Sequence, residues 1–213
     1  MVKRIRKVTK NHPTRERKKI IVVGTEGNNK TETLYLRNIE STQSRFHFIF
    51  ASGNDTDPVK IVRNTIKKAK EEEISVRRGD MAISIFDLDL DSSKREQFTR
   101  AKNISASNNV MIISSNPCFE VWYLEHFGYT SRQFNSNAEL ITELKRRDSK
   151  YEKNFCNFEV LYPNTDQAIK NCKKLDDYHR KNSSEELFEF NHPRTDMYKI
   201  VELLIDESDR KKA

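Results

Sequence analysis

Three acids in this chain stand where carboxylates are costly unless something positive meets them. Asp87 and Asp89 follow directly on the apolar run Met81-Ala82-Ile83-Ser84-Ile85-Phe86. Glu26 lies two residues beyond Gly24, which closes the run Ile20-Ile21-Val22-Val23. In an extended segment residues i and i+2 project to one side, so the two aspartates are expected to point together. Neighbouring carboxylates raise each other's proton affinity unless a cation lies between them. Mg²⁺, which takes oxygen ligands and leaves positions for water and substrate phosphate, suits such a pair. Asp91 continues the alternation and is a further candidate ligand. Glu26 could ligate the same ion or act as general acid/base on an attacking or leaving oxygen. Taken alone, residues 87–91 are an acidic turn before a helix and Glu26 is a solvated loop acid. What lifts them above that reading is that both sets end strand-like runs.

Further candidates surround these acids. Glu32, in the first turn of the next helix, either stabilises the positive helix end or supplies a third ligand. Lys30 is a candidate phosphate contact. Asn116-Pro117 reads as a helix cap with proline at the first helical position, which makes Asn116 and the opening amides a second place for substrate phosphate. Glu120 then projects from the first turn as a ligand or as a support for one, while Phe119, Trp122, Tyr123 and Phe127 offer apolar area. His126 either pairs with Glu120 or packs among these aromatics. The His and Cys residues show no zinc spacing, and no nucleophile elbow is present. Residues 24–31 have the length of a phosphate-binding loop, but Asn29 stands where glycine should precede Lys30.

The elements that must position these residues follow a repeated strand-helix pattern. Strands are expected at residues 20–23, 46–50, 81–86 and 109–113, with helices at 31–44, from Pro58 to about 73, at 93–106 and from Pro117. Short parallel strands linked in this way carry ligands at their carboxyl edge. After Gly128 the pattern becomes helical, over residues 138–147, 166–181 and 196–206. The expected organisation is therefore a basic arm (1–18), an α/β core (19–127) with a mostly parallel sheet flanked by helices, and a C-terminal helical appendage (128–213) packed on that core.

The chain of 213 residues carries a net charge of +7, but the charge is not spread evenly. Residues 1–19 hold nine Lys/Arg and one acid, leaving 30 basic and 31 acidic of the 39 and 32 in the whole chain. A basic arm on a neutral body can attract nucleic acid by counterion release, or it can be a soluble leader. Twelve Phe, seven Tyr and one Trp are enough to fill a core. Three Cys without CxxC spacing argue against a disulfide framework and for a reducing compartment. No apolar run reaches bilayer length and no signal-peptide h-region is present, so a soluble, cytoplasmic protein without membrane partners is expected.

Gly24-Thr25-Glu26-Gly27 with Lys30-Thr31-Glu32 and Tyr35 resembles the EG..TE..Y signature of RloB-like proteins, which are similar to the Toprim nucleases. Asp87 and Asp89 fall at that family's DxD. The run from Ser115 to Phe127 (SNPCFEVWYLEHF) resembles its SNP.FE.W.L.H segment, and Asn191-His192-Pro193-Arg194-Thr195 its NP.T ending. The resemblance implies a Toprim-like core, with Glu26 as acid/base or ligand and Asp87 with Asp89 holding Mg²⁺ or Mn²⁺. It further implies cleavage of DNA or RNA in bacterial phage defence and abortive infection, in loci that often encode an ATPase. A third aspartate stands where Toprim proteins often have glycine, which leaves the second ligand undetermined. Two other functions fit the same residues: a non-catalytic subunit that docks an ATPase partner, and a phosphoryl- or nucleotidyl-transfer enzyme.

Overall fold

The computed structural model describes residues 17–27, 31–42 and 45–205. The arm before Arg17 and Lys30, the expected phosphate contact, lie outside the described residues. The elements along the chain are β1 (Lys19–Gly24), α1 (Thr31–Thr42), β2 (Phe46–Phe50), α2 (Pro58–Glu71), β3 (Met81–Asp87), α3 (Lys94–Ala106) and β4 (Val110–Asn116). They continue with α4 (Glu120–His126), α5 (Asn137–Arg147), α6 (Phe158–Leu161), α7 (Thr165–Asn182), β5 (Arg194–Thr195) and α8 (Met197–Leu204). The five strands form one sheet in the order β2-β1-β3-β4-β5. β1 to β4 are parallel and β5 runs antiparallel to β4. This is an α/β fold of the Toprim-like kind, with helices on both faces of a mostly parallel sheet.

Side-chain alternation sorts the core into two clusters, one on each face. Ile83 and Ile85 of β3 join Tyr35, Leu36 and Ile39 of α1 and Trp122 of α4. Phe86 and Leu88 join Val59, Ile61 and Val62 of α2 and Phe98 and Ala101 of α3. Asp87, the next residue after Phe86, therefore returns to the Ile83 and Ile85 side of the sheet. Residues beyond Gly128 add to the first cluster, through Leu140, Leu144, Leu161, Ala168 and Val201. α2 begins where its sequence directs, with the Asp57 carboxylate accepting from the amides of Val59 (2.7 Å) and Lys60 (3.2 Å) and Pro58 in the first turn.

The sheet changes its direction of winding between β1 and β3. From β1 the chain passes through α1 to β2 on one side, then through α2 back past β1 to β3 on the other. Connections leaving adjacent strands in opposite directions open a crevice at the carboxyl ends of those strands. Glu26 follows β1 and Asp87 ends β3, so both flank that crevice.

Two expectations change. The fourth strand runs on to Asn116 because Ser115 and Asn116 pair with Thr195 and Arg194 of β5. A two-residue strand has too short a pattern to be read from sequence. The helix expected from Pro117 begins only at Glu120, and the Asn116–Pro117 peptide is cis. Cys118, Cys156 and Cys172 are free thiols. Among the described residues no helix is long and apolar enough to cross a membrane.

Candidate functional site

Glu26, Asp87, Asp89 and Glu120 line one cleft of about 140 Å³, together with Cys118, Asn137, Ile141 and Lys153. Asp87 is 5% exposed, and among the described residues its Oδ1 has no hydrogen-bond partner. Burial, reinforced by the charges of Glu32, Glu26, Glu120 and Asp89, holds its carboxyl well above the usual carboxylate range. A buried acid in this state keeps a proton or requires a cation. Glu26 is half-buried, and its Oε1 accepts from the Asp87 amide at 3.3 Å. Burial raises its carboxyl too, against the opposing pull of Lys94.

Asp89 reaches the cleft by a different route from the one its spacing suggests. The strand ends at Asp87, and Asp89 and Leu90 both take left-handed conformations (φ 53° and 57°). It is a turn, not strand alternation, that delivers the second aspartate. Asp89 Oδ2 receives the Lys94 ammonium at 2.6 Å, and its Oδ1 accepts from Asn137 Nδ2 at 2.8 Å. The same ammonium donates to the Asp87 carbonyl at 3.0 Å. Asp91 does not line the cleft. Its carboxylate accepts from the Ser93 amide at 2.8 Å in the turn that opens α3, which lowers its proton affinity.

Glu120 is buried and oriented from across the molecule, with Tyr151 Oη donating to its Oε1 at 2.7 Å. Glu32, on the buried face of α1, is close enough to act on Asp87 through its charge. Asn116 is not available to substrate. It is 2% exposed, its Oδ1 accepts from the Leu90 amide (3.2 Å) and its Nδ2 donates to the Phe190 carbonyl (2.8 Å). The expected phosphate contact is thus an internal tie, because β4 carries Asn116 into the sheet where a helix cap was expected. His126 packs its ring on Trp122 (centroids 4.6 Å apart), and its Nδ1 lies 2.8 Å from the Trp122 carbonyl. Burial pushes it down to about 4, and it lines no part of the cleft.

Sequence reasoning missed Lys94, Asn137, Tyr151 and Lys153. Lys94 carried a readable signal, a lysine in the first turn of a helix five residues after an acid. The other three arrive from residues 137–153, brought in by tertiary packing.

Among the described residues, no three or more His, Cys, Asp and Glu side chains stand in a ready metal-binding constellation. The donor chemistry nevertheless fits a small divalent cation that prefers oxygen. Several carboxylates face one cleft, and among the described residues the buried Asp87 Oδ1 has no donor to satisfy it.

The fold and the cleft define a Toprim-like α/β protein whose acids gather at the switch point of its sheet. The family model of RloB-like proteins matches residues 21–204, and the chain belongs to that family. No curated protein and no solved structure matches it.

Proposed function

We propose that this protein is a Mg²⁺- or Mn²⁺-dependent nuclease, cleaving phosphodiester bonds of DNA or RNA in bacterial antiviral defence. The observation that carries the reading is Asp87, a buried carboxylate with an oxygen that has no partner among the described residues, set among other acids at the carboxyl edge where the winding reverses. In this reading Asp87, Asp89 and Glu120 hold the ion, with the charge of Glu32 acting on Asp87. When bound, the ion supplies Lewis-acid polarisation of a phosphate oxygen and of the attacking water. Glu26, whose burial raises its proton affinity, holds or accepts the proton at the reacting oxygen. Lys153 at the rim and Lys94 beside Asp89 place positive charge for the phosphate backbone. Asn137 and Tyr151 orient Asp89 and Glu120. The basic arm adds attraction that does not depend on base sequence.

The test is incubation of the full chain with plasmid, single-stranded DNA and total RNA in Mg²⁺ or Mn²⁺. Cleavage of at least one substrate is expected, with a loss of at least 100-fold in Asp87→Ala and in Glu26→Gln. Activity of Asp87→Ala equal to wild type overturns the assignment. One observation favours the second reading, a subunit that docks an ATPase: Lys94 already neutralises Asp89 without an added ion. A partner that co-purifies, together with no heat on titration of either ion, would establish that reading instead.

A further inference from the structure

We propose that a second, polar cleft beside the acids binds the nucleoside portion of a nucleotide, base and sugar, and not its phosphate. The choice of a nucleic-acid ligand rests on the nuclease reading, whereas the neutral character of the ligand rests on the lining itself. The cleft encloses about 280 Å³ and is formed by the end of α7, the loop that follows it, the residues before β5 and the loop after Gly128. This is near the small end of ligand-cleft sizes, which suits a single nucleoside.

The charge of the lining argues against an anion. Among the described residues no Lys or Arg lines the cleft, and its single acid, Glu185, is clamped by Arg95 through two bonds of 2.5 and 2.6 Å. The carboxyl end of the 18-residue helix α7 also faces this region, with the partial negative charge of its terminal carbonyls. The uncharged groups, by contrast, are suited to a heterocycle. Burial lowers the proton affinity of both His179 and His192, so each imidazole is neutral near pH 7 and offers one donor and one acceptor. His179 Nε2 lies 2.9 Å from the Pro193 carbonyl, which makes Nε2 the donor and leaves Nδ1 as the acceptor. His192 Nδ1 is buried without a hydrogen-bond partner among the described residues. Gln133 adds an amide of the kind that pairs with base edges, and Asn182, whose Nδ2 donates to the Tyr178 carbonyl at 2.8 Å, adds its Oδ1 as an acceptor. Tyr178 is 41% exposed and provides an aromatic face for stacking.

The first turn of α3 joins the two clefts: Lys94 holds Asp89 of one, and the next residue, Arg95, holds Glu185 of the other. Asn116 makes a second tie, from Leu90, next to Asp89, to Phe190, next to Asn191 of the polar cleft. On the nuclease reading, a strand whose phosphate sits at the acids would seat a nearby nucleoside in the second cleft.

The experiment uses the full chain in EDTA, so that its outcome does not depend on cleavage. The imidazole C–H signals are followed by NMR as adenosine, guanosine, cytidine, uridine or ribose is added. At least one nucleoside is expected to move the His179 and His192 signals while leaving those of His47 and His126 in place. Tyr178→Ala and Asn182→Ala, both at the rim, are each expected to weaken that response at least fivefold. Absence of movement with all four nucleosides overturns the proposal. So does an equal response to ribose alone, or a response unchanged in both variants. If nucleosides bind here while no nucleic acid is cleaved, the nuclease reading falls and this site stands. If nucleic acid is cleaved while no nucleoside moves the signals, this site falls and the nuclease reading stands.

Discussion

Asp87 is the side chain on which the rest of the cleft depends, because its buried oxygen cannot remain charged without help. On the proposed reading that help is the bound ion, which Asp87 would share with Glu120, and Tyr151 holds Glu120 in place. Removing a hydrogen bond that orients a ligand usually lowers metal affinity about 10- to 100-fold. Tyr151→Phe should accordingly weaken Mn²⁺ binding about tenfold, measured by titration calorimetry, while the protein stays folded. Glu125, one helical turn beyond the cleft, gives a prediction about pH. It is fully buried, and burial raises it from 4.5 to about 8. The folded chain therefore keeps a proton that the unfolded chain loses, so stability falls as pH rises from about 4.5 toward 8 and levels off above that. Glu125→Gln should flatten this slope and add on the order of 4 kcal/mol at pH 8 relative to wild type, measured by urea unfolding at several pH values. Glu26 and Asp87 were legible in the sequence because each stands at or just past the end of a largely apolar, strand-like run. Asp89 was legible as a neighbour, though a left-handed turn delivers it and alternation does not. Asn137 and Tyr151 were not legible, since they meet their partners across 48 and 31 residues of chain.

At the scale of elements, the site depends on how closely β1 approaches α2. A Cβ on Gly24 would stand 2.0 Å from Thr65 Oγ1, which itself bonds the Ile61 carbonyl and Ser84 Oγ, each at 2.8 Å. Gly24→Ala should therefore cost about 2 kcal/mol through overpacking and disturb the loop that carries Glu26. Because the clash is with a single hydroxyl, adding Thr65→Ala should recover part of that loss. Thermal unfolding of the two single variants and the double variant measures the coupling. The parallel strands were readable from their β-branched runs, and the winding reversal followed once their order was known. β5 was not readable. It owes its place to pairing with β4 and to Arg194, buried with its Nη2 2.5 Å from Asp196 Oδ1 and its Nε 3.1 Å from Asp176 Oδ1. A charge inside the protein fixed by two acids leaves no periodic trace in a sequence.

Considered as a whole, the molecule packs its later helices into the same core as α1 and α4, with Leu140, Leu144 and Val201 beside Trp122. The cleft needs both parts of the chain: β1 and β3 lead into Glu26 and Asp87, and the segment from 137 to 153 brings Asn137 and Tyr151, which orient Asp89 and Glu120, and Lys153. One attachment lies at the other end of the sheet. Arg17 grips Asp80 through bonds of 2.8 and 3.2 Å, and Asp80 also accepts from the Ile20 and Ser75 amides. Asp80 immediately precedes β3, so this rivet sits at the amino end of the strands, whereas the acids sit at the carboxyl end. The basic arm is thus anchored on the rear edge of the sheet. Sixteen residues can span at most roughly 55 Å, against about 23 Å for the seven residues of β3. Chain length alone therefore does not keep the arm's charges from a polyanion lying at the cleft. On the proposed nuclease reading, an anchor so placed would let the arm raise the local concentration of substrate without touching the bond that breaks. Removal of residues 1–16 should accordingly raise KM about tenfold at low salt, leave kcat within about twofold, and flatten the dependence of binding on ionic strength. Steady-state cleavage and anisotropy across a salt series would measure this, and an unchanged KM would show that the rear anchor tethers nothing to the substrate.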